Sequence, residues 1–286
     1  MPPLAGLQTL SARPPVPEDW PRDIVVATDG RMPSESAIVA ASRLANAATF
    51  GVISVISVGH STDRDQGHTL DPLSIDDRRQ LIERQVHRLL GDAPDVWVEI
   101  RTGYPPAVLA SFAQLHGVAM LIVGIGRPAV LDRLRGDEST LRLARMTQTP
   151  LFAVANGCAV PPRRIVVAMD FSRASMRAAK WVLAVAAPDG DISLVNVRSP
   201  AERATPYGSL RRLAEHLQSD FSGHVRPVEL HGDPATELLA YASQERADLI
   251  SVGSRGARGV SPGSLGAVAT RVVRCAGCSL ILAPGE

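Results

Sequence analysis

The chain has 286 residues, of which 45% are hydrophobic, so it is long enough for two ordinary domains with buried cores. Its 30 basic and 29 acidic residues leave a net charge of +1, which gives no overall field to attract nucleic acid or an acidic membrane. No stretch approaches the roughly 18 consecutive apolar residues of a membrane span. We therefore expect a globular protein with neither a nucleic-acid nor a membrane partner.

Residues 1–22 precede the first apolar run as a Pro-rich lead-in, which we expect to be flexible and to be no signal peptide. The three cysteines, Cys158, Cys275 and Cys278, give no disulfide framework and favour a reducing, cytoplasmic location. Cys275 and Cys278 have the spacing of a redox pair or of half a zinc site. No second ligand pair accompanies them, and we interpret them as structural.

The rest of the chain is an internal repeat. DIVVATDG at 23–30 pairs with RIVVAMDFS at 164–172, which puts Asp29 in register with Asp170. Further along, the stretch ending at Gly124 pairs with the one ending at Gly253, with an offset that is shorter by about 12 residues. We place the extra residues of copy one in the polar stretch 60–74. We expect a first domain over 23–157 and a second over 163–286.

Each copy alternates apolar, β-branched runs with segments of helical period. The strands expected in copy two are RIVVAM, DISLVNV, VRPVEL, DLISVG and CSLILA. Strands that are apolar on both faces and separated by helices predict a parallel sheet covered on both sides. The predicted fold class is therefore α/β, with two tandem, doubly wound, five-stranded parallel-sheet domains.

A glycine-rich stretch, VGSRGARGVSPGSLGAVAT at 252–270, follows the fourth strand of copy two. Gly253 and Gly256 lack a Cβ, so we expect them to adopt left-handed angles and to let the backbone approach an anion. Ligands of doubly wound sheets bind at the carboxyl ends of the strands, where this stretch lies. Arg255 adds positive charge there. Glycines after a strand often make only a tight turn, but the following helix favours a binding site.

The last helix opens at Gly266, and its first amides, at Gly266, Ala267 and Val268, are expected to face the same anion. Asp170 ends the first strand of copy two at the same edge of the sheet. Its carboxylate is suited to accept hydrogen bonds from a ribose or to hold a metal ion such as Mg²⁺ on the phosphates. The sequence thus predicts a phosphate cradle, although neither a Walker loop nor the dinucleotide fingerprint is present.

These motifs resemble those of the universal stress proteins, whose hallmark is Gly-x2-Gly-x9-Gly followed by Ser or Thr. VVAMDFS resembles the first strand of that family, SLVNV the second, and HGDPATELLAYASQERADLISVGSRG the third helix and fourth strand. The resemblance covers nearly all of the chain after residue 22. It implies ATP, ADP or AMP as ligand and a Rossmann-like fold of the adenine nucleotide alpha hydrolase type. The nucleotide-binding residues it implies are Ala168, Met169, Asp170, Val197, Val252, Gly253, Arg255, Gly256, Gly266, Ala267 and Val268.

The resemblance also implies assembly. Paired domains of the family associate through their final strands, so we expect 150–155 to pair with 279–283 and to form an internal pseudo-dimer. Pairing would hide two strand edges that otherwise invite aggregation. We further expect two chains to form a homodimer, since twofold symmetry is the commonest arrangement of soluble oligomers.

The chain departs from the family pattern in both copies. In copy two Ala267 replaces the Ser or Thr whose hydroxyl would bond a phosphate, a contact worth about 1.5–3 kcal/mol, so we expect weakened binding. In copy one Asp137 and Glu138 fall on the third glycine and the Ser/Thr. We expect these carboxylates to sit in the first turn of the helix and to repel phosphate. The degenerate first site comprises Asp29, Val58, Gly124, Arg127, Asp137 and Glu138.

Three functions are open to such a chain. The favoured one is a stress-response regulator that binds adenine nucleotide through copy two and leaves copy one for packing or for an unknown protein partner. The second is a scaffold that binds no nucleotide. The third is a weak ATP hydrolase, which we rank last because the sequence shows no nucleophile elbow and no general base beside the expected phosphates. We do not expect an enzyme.

Overall fold

The computed structural model describes residues 23–46, 53–59, 73–92, 96–126, 133–198, 207–256 and 264–285. The lead-in 1–22 and most of the predicted insertion at 60–74 lie outside these ranges. The elements of copy one are β1 Ile24–Thr28, α1 Met32–Asn46, β2 Ile53–Gly59, α2 Ile75–Leu90, β3 Val96–Thr102, α3 Pro105–Leu115, β4 Met120–Ile125, α4 Arg133–Met146 and β5 Leu151–Ala155. Those of copy two are β6 Arg164–Ala168, α5 Arg173–Val185, β7 Asp191–Arg198, α6 Tyr207–Ser219, β8 His224–His231, α7 Pro234–Gln244, β9 Leu249–Gly253, α8 Ala267–Cys275 and β10 Ser279–Ala283.

All ten strands join one sheet in the order β3-β2-β1-β4-β5-β10-β9-β6-β7-β8. Within each copy the five strands are parallel, which confirms the predicted doubly wound α/β class. The two copies meet where β5 and β10 pair in antiparallel fashion, with Phe152 opposite Ile281. This pairing of the final strands was predicted and is confirmed. Because β5 and β10 are antiparallel, the strands of the two copies run in opposite directions. The carboxyl ends of copy one and those of copy two therefore lie at opposite edges of the sheet.

The helices form two layers, and each layer covers a core that crosses the seam. One core contains Phe152 of β5 and Ile281 of β10. The other contains Leu151 and Leu280 from the same two strands. Since adjacent residues of a strand point to opposite faces, each copy contributes to both shared cores at the seam.

Local sequence signals start several helices. The Ser172 side chain accepts a hydrogen bond from the Ser175 amide and caps α5, and Asp233 caps α7 by accepting from the Thr236 amide. Pro234 then occupies the first helical position, where its missing N–H is no loss. None of the described helices is long and apolar enough to cross a membrane.

Candidate functional site

The strand order of copy two reverses between β6, which leads to β7, and β9, which leads to β10. A crevice at the carboxyl ends of such strands is where doubly wound sheets place ligands. Asp170 follows β6, Gly253 is the last residue of β9, and 254–256 follow that strand. The two segments lie against each other, because a Cβ on Gly256 would stand 2.9 Å from Asp170 Oδ2. The structure therefore brings the predicted carboxylate and the predicted glycine loop together.

The glycines matter because they have no side chain, and not because their backbone angles are unusual. Neither Gly253 nor Gly256 has a positive φ, so the left-handed conformation predicted for them is wrong. At Gly253 a Cβ would lie 2.8 Å from both Ala174 Cβ and the Ser175 amide nitrogen. Glycine is needed there so that the start of α5 can pack against β9. At Gly256 it leaves room for the Asp170 carboxylate.

The amino end of α8 completes one wall of this crevice. Gly266 is the N-cap of α8, and its own N–H donates to Ser254 O at 2.9 Å. This amide is consequently engaged, which corrects the prediction that it faces a ligand. The first helical bond runs from the Thr270 N–H to Gly266 O, so the amides of Ala267 and Val268 have no acceptor within the helix. These two amides are available to an acceptor outside the helix, and their role as anion donors stays a prediction.

The other wall is formed by β6 and β7. Met169 is buried, its N–H donates to Val195 O at 2.8 Å, and its carbonyl accepts from Asn196 Nδ2 at 2.6 Å. Val197 is half-buried and follows Asn196 along β7. Met169, directly after β6, and Val197 of β7 therefore lie at the same edge of the sheet, at the ends of adjacent strands. Sequence reasoning missed Asn196, whose amide fixes the carbonyl of Met169.

The structure also places four other residues of the predicted nucleotide site. Ala168, the last residue of β6, is half-buried, whereas Val252 is fully buried in β9 and serves the core. The Arg255 side chain is half-exposed beside the crevice, and its carbonyl accepts a 3.4 Å hydrogen bond from Ser172 Oγ. Val268 is half-buried at the start of α8. The crevice is thus lined by backbone and small side chains around one carboxylate.

Phe171 is a second residue that the sequence did not reveal. It has a φ of 62°, in the left-handed region that non-glycine residues rarely occupy. Copy one has Gly30 at the same place with a φ of 81°, so the turn after the first strand requires this conformation in both copies. Two neighbouring contacts offset the backbone strain at Phe171. The Ser172 amide donates to Asp170 Oδ1 at 3.0 Å, and the Phe171 ring packs on the core.

Comparison with known proteins identifies the family of the chain. The model of the universal stress protein family matches residues 21–154 and again 162–284. The chain belongs to the universal stress protein family. Two matches account for nearly the whole described chain, so the protein is a tandem member with two domains.

Individual relatives agree with this assignment. A universal stress protein of Methanocaldococcus jannaschii is 28% identical over 137 residues, which are 42% of this chain and 81% of the relative. The crystal structure of a universal stress protein from Archaeoglobus fulgidus superposes with a TM-score of 0.66 at 19% identity, over 93% of this chain and 99% of that one. A Pseudomonas aeruginosa protein of unknown function gives a TM-score of 0.63 at 14% identity, over 92% of each chain. At such identities the two structures support the fold alone.

The glycine loop of the first universal stress protein domain differs from that of the second. Arg127 lies outside the described residues. The backbone of α4 is helical from Arg133, so Asp137 and Glu138 occupy its second turn. The prediction that they sit in the first turn of the helix is therefore wrong. Glu138 instead forms an i,i+4 ion pair with Arg142, with 3.2 Å between Oε1 and Nε.

Copy one shares the close backbone contact that the second site makes at Gly253. A Cβ on Gly124 would overlap the backbone of Pro33 at the start of α1. Gly124 thus lets α1 pack on β4, as Gly253 lets α5 pack on β9. A substitution at Gly124 is for that reason a change to the fold, and it is unsuited to serve as a neutral control for binding.

A buried arginine fills the strand ends of copy one. Arg78 of α2 is only 9% exposed and donates to Ser57 Oγ on β2 at 3.0 Å. Burial lowers the pKa of Arg78, while the nearby charge of Asp29 opposes that shift. Copy two has the apolar Leu210 buried in the first turn of α6 instead. No motif in the sequence pointed to Arg78, because its burial depends on the packing of α2.

The carboxylate of Asp29 is likewise bonded to residues of copy one. Its Oδ1 accepts from the Arg31 amide at 3.0 Å and from Ser34 Oγ at 3.2 Å, and the Arg31 guanidinium lies 3.7 Å from Oδ2. Val58, the counterpart of Val197, is half-buried at the end of β2. The carboxylate of the first site is thus held by neighbouring residues of its own copy.

The cysteines lie away from this crevice. All three are free thiols, and Cys278 is buried at the amino end of β10, which raises its pKa to about 12. Cys275 is exposed at the end of α8. Within the described ranges, no three His, Cys, Asp or Glu side chains are grouped closely enough to hold a metal ion.

Proposed function

We propose that the protein is an adenine-nucleotide-binding regulator of the stress-protein type and that its second domain holds the nucleotide. One observation carries this proposal: the Asp170 carboxylate, the small loop at Gly256 and the free amides of α8 converge at the strand switch point. A carboxylate suits ribose hydroxyls, and amides at a helix start suit phosphate. Their side-by-side placement matches a nucleoside phosphate better than either group alone.

The base would lie on the β6–β7 side of the crevice. The edge there offers the half-buried Val197 and the main chain around Met169, which Asn196 holds in place. Apolar contact and main-chain hydrogen bonds are what a flat, largely apolar purine requires. ATP, ADP and AMP share this base, so we infer that the site selects adenine nucleotides as a class.

The phosphate end of the site is weaker than the family pattern. Ala267 supplies an amide but no hydroxyl, and the amide of Gly266 is already bonded to Ser254 O. Fewer donors favour ligands with fewer phosphates, so we expect ADP and AMP to compete well with ATP. If Mg²⁺ accompanies a polyphosphate, Asp170 is the carboxylate that would hold it, and the ion would neutralise phosphate charge.

Calorimetric titration with ATP, ADP and AMP tests the proposal. Gly256→Ala should weaken each nucleotide about tenfold or more, since its methyl group displaces the Asp170 carboxylate and a charge-assisted hydrogen bond is lost. Gly277→Ala is a matched control, because a Cβ at Gly277 would meet nothing within 4 Å. Equal affinities of the two variants would contradict the site.

A scaffold that binds a protein partner without nucleotide is the second candidate, and Ala267 favours it. Mass spectrometry of gently purified protein distinguishes the two, since a nucleotide that copurifies excludes a purely nucleotide-independent role. We also propose that the protein binds rather than hydrolyses ATP. Release of phosphate that is abolished by Gly256→Ala would overturn this part of the proposal.

Assembly and location are further parts of the proposal. We propose a homodimer of chains, beyond the internal pairing of β5 with β10, and sedimentation analysis at several concentrations would test it. We also propose a cytoplasmic location, because three free thiols suit a reducing compartment.

A further inference from the structure

An exposed apolar surface lies on copy one, at the opposite edge of the sheet from its carboxyl ends. Trp97, the second residue of β3, is 67% exposed, and Leu115, the last residue of α3, is 82% exposed. The Phe112 ring lies beside the His116 ring, with 4.2 Å between centroids. We call Trp97, Phe112, Leu115 and His116 the edge patch.

Copy two has an ion pair at the equivalent place, between the start of its third strand and the end of its third helix. Alignment of Gly103 with Gly232 puts Arg226 at the position of Trp97 and Glu245 at that of His116. Arg226 and Glu245 form an ion pair with 2.6 Å between Nη2 and Oε2. The strand position and the helix end therefore face each other. Copy one presents an indole where copy two presents that ion pair.

The lead-in belongs to the copy that carries the edge patch. Asp23, the first residue after the lead-in, accepts a hydrogen bond through its carbonyl from the Ala119 amide at 2.8 Å. Leu115 is four residues before Ala119, so it lies within about 15 Å of that point at 3.8 Å per residue. Asp23, to which the lead-in is joined, therefore lies at the end of the sheet that carries the edge patch.

Copy two is preceded by a different kind of segment. Its linker is held against α1, where Arg43 Nη1 donates to Val160 O at 3.2 Å and Ser36 Oγ to Asn156 Oδ1 at 3.0 Å. In the described part of copy two, the preceding segment is therefore anchored and the junction carries an ion pair. The patch and the lead-in occur together on copy one.

The composition of the lead-in fits an aromatic surface. Its six prolines lie near its two ends, at positions 2, 3, 14, 15, 17 and 21. Its large apolar residues include Leu4, Leu7, Leu10, Val16 and Trp20. Proline-rich segments favour the extended polyproline conformation, so the stretch 14–21 would lose little entropy on docking against exposed aromatic rings, and the leucines before it would add apolar contact. We propose that residues 1–22 dock on the edge patch of copy one.

The occupant would lie on side chains rather than extend the sheet. Arg79 of α2 donates from Nη1 to the Val98 carbonyl at 3.0 Å, so the middle of β3 already has a partner for one carbonyl group. Addition of a strand at β3 would displace this arginine. A polyproline segment needs no such ladder of main-chain hydrogen bonds, because its backbone is solvated.

Acrylamide quenching of Trp97 tests the proposal in the full chain. Trp20→Phe removes the tryptophan of the lead-in, and Trp181 is only 5% exposed and contributes little to quenching. In this background the triple change Leu4→Ser, Leu7→Ser and Leu10→Ser should increase the quenching constant and shift the emission to the red. The buried cores are untouched, so the variant should fold.

A reciprocal measurement follows the lead-in itself. Ala12→Cys introduces a thiol whose alkylation rate reports contact, and Leu115→Ser should increase that rate. Met146→Ser is the matched control, since Met146 is 47% exposed but lies outside the edge patch. Unchanged quenching and unchanged alkylation would overturn the proposal. Shielding of Trp97 that is lost on dilution would also overturn it, because a second copy would then cover the patch.

Discussion

Gly266→Asp should stabilise the protein and abolish nucleotide binding at the same time. Gly266 is the N-cap of α8, with a φ of −63°, a ψ of 154° and no side-chain cap. A Cβ there would have its nearest neighbour, Ser254 O, at 3.6 Å, which is ordinary van der Waals contact. The first turn of α8 holds no acidic residue. An aspartate can therefore enter without strain and cap the helix.

The magnitudes of the two effects differ. Aspartate exceeds glycine as an N-cap by a few tenths of a kcal/mol and adds about 0.3–1 kcal/mol through the helix dipole. We thus expect a gain of about 0.5–1 kcal/mol in the free energy of unfolding. A carboxylate about 4 Å from a phosphate charge costs about 4 kcal/mol at an effective dielectric constant near 20, or roughly a thousandfold in affinity.

Thermal denaturation and calorimetric titration with ATP measure the two effects. Gly266→Asn is the matched control, because asparagine caps a helix equally well but brings no charge. The asparagine variant should retain most of the affinity that the aspartate variant loses. If both variants bind ATP like the parent protein, then the phosphates do not lie at the start of α8.

Three other substitutions and one labelling experiment test the remaining reasoning. Ala267→Ser restores the missing hydroxyl and should tighten ATP about ten- to hundredfold in calorimetry, whereas no change would place the phosphates elsewhere. Gly253→Ala brings a methyl group within 2.8 Å of the α5 backbone and should lower the free energy of unfolding by about 1–3 kcal/mol in urea titration. At pH 8, Cys275 should react with iodoacetamide while Cys278 stays intact by mass spectrometry, because burial raises the pKa of Cys278 to about 12. Hydrogen bonds from Thr236 lower the pKa of Asp233 below 3.8, so the stability it contributes is present above pH 3.8 and is lost as the pH falls through the lower folded value. Asp233→Asn should flatten urea-derived stability curves in that acid range, and unaltered curves would contradict the assignment.

The repeat, the strands and the family of this protein can all be read from its sequence. Apolar runs alternate with segments of helical period, and that pattern is local, so β6 to β10 fall where the sequence predicts them. The meeting of Asp170 with the loop at Gly256 was also predictable. Parallel strands bring their carboxyl ends to one edge, and the strand order follows from the doubly wound class.

Tertiary packing decided how the site residues are used. Position 253 requires glycine because α5 approaches β9, and the Gly266 N–H donates its hydrogen bond to the Ser254 carbonyl. The spacing of the glycines in the sequence predicts neither contact. Copy one shows the same limit, because α4 begins at Arg133 and a buried Arg78 reaches the strand ends. Sequence periodicity reports which face of an element is apolar. Which atoms then meet depends on contacts between residues far apart in the chain, and those exist only in the folded state.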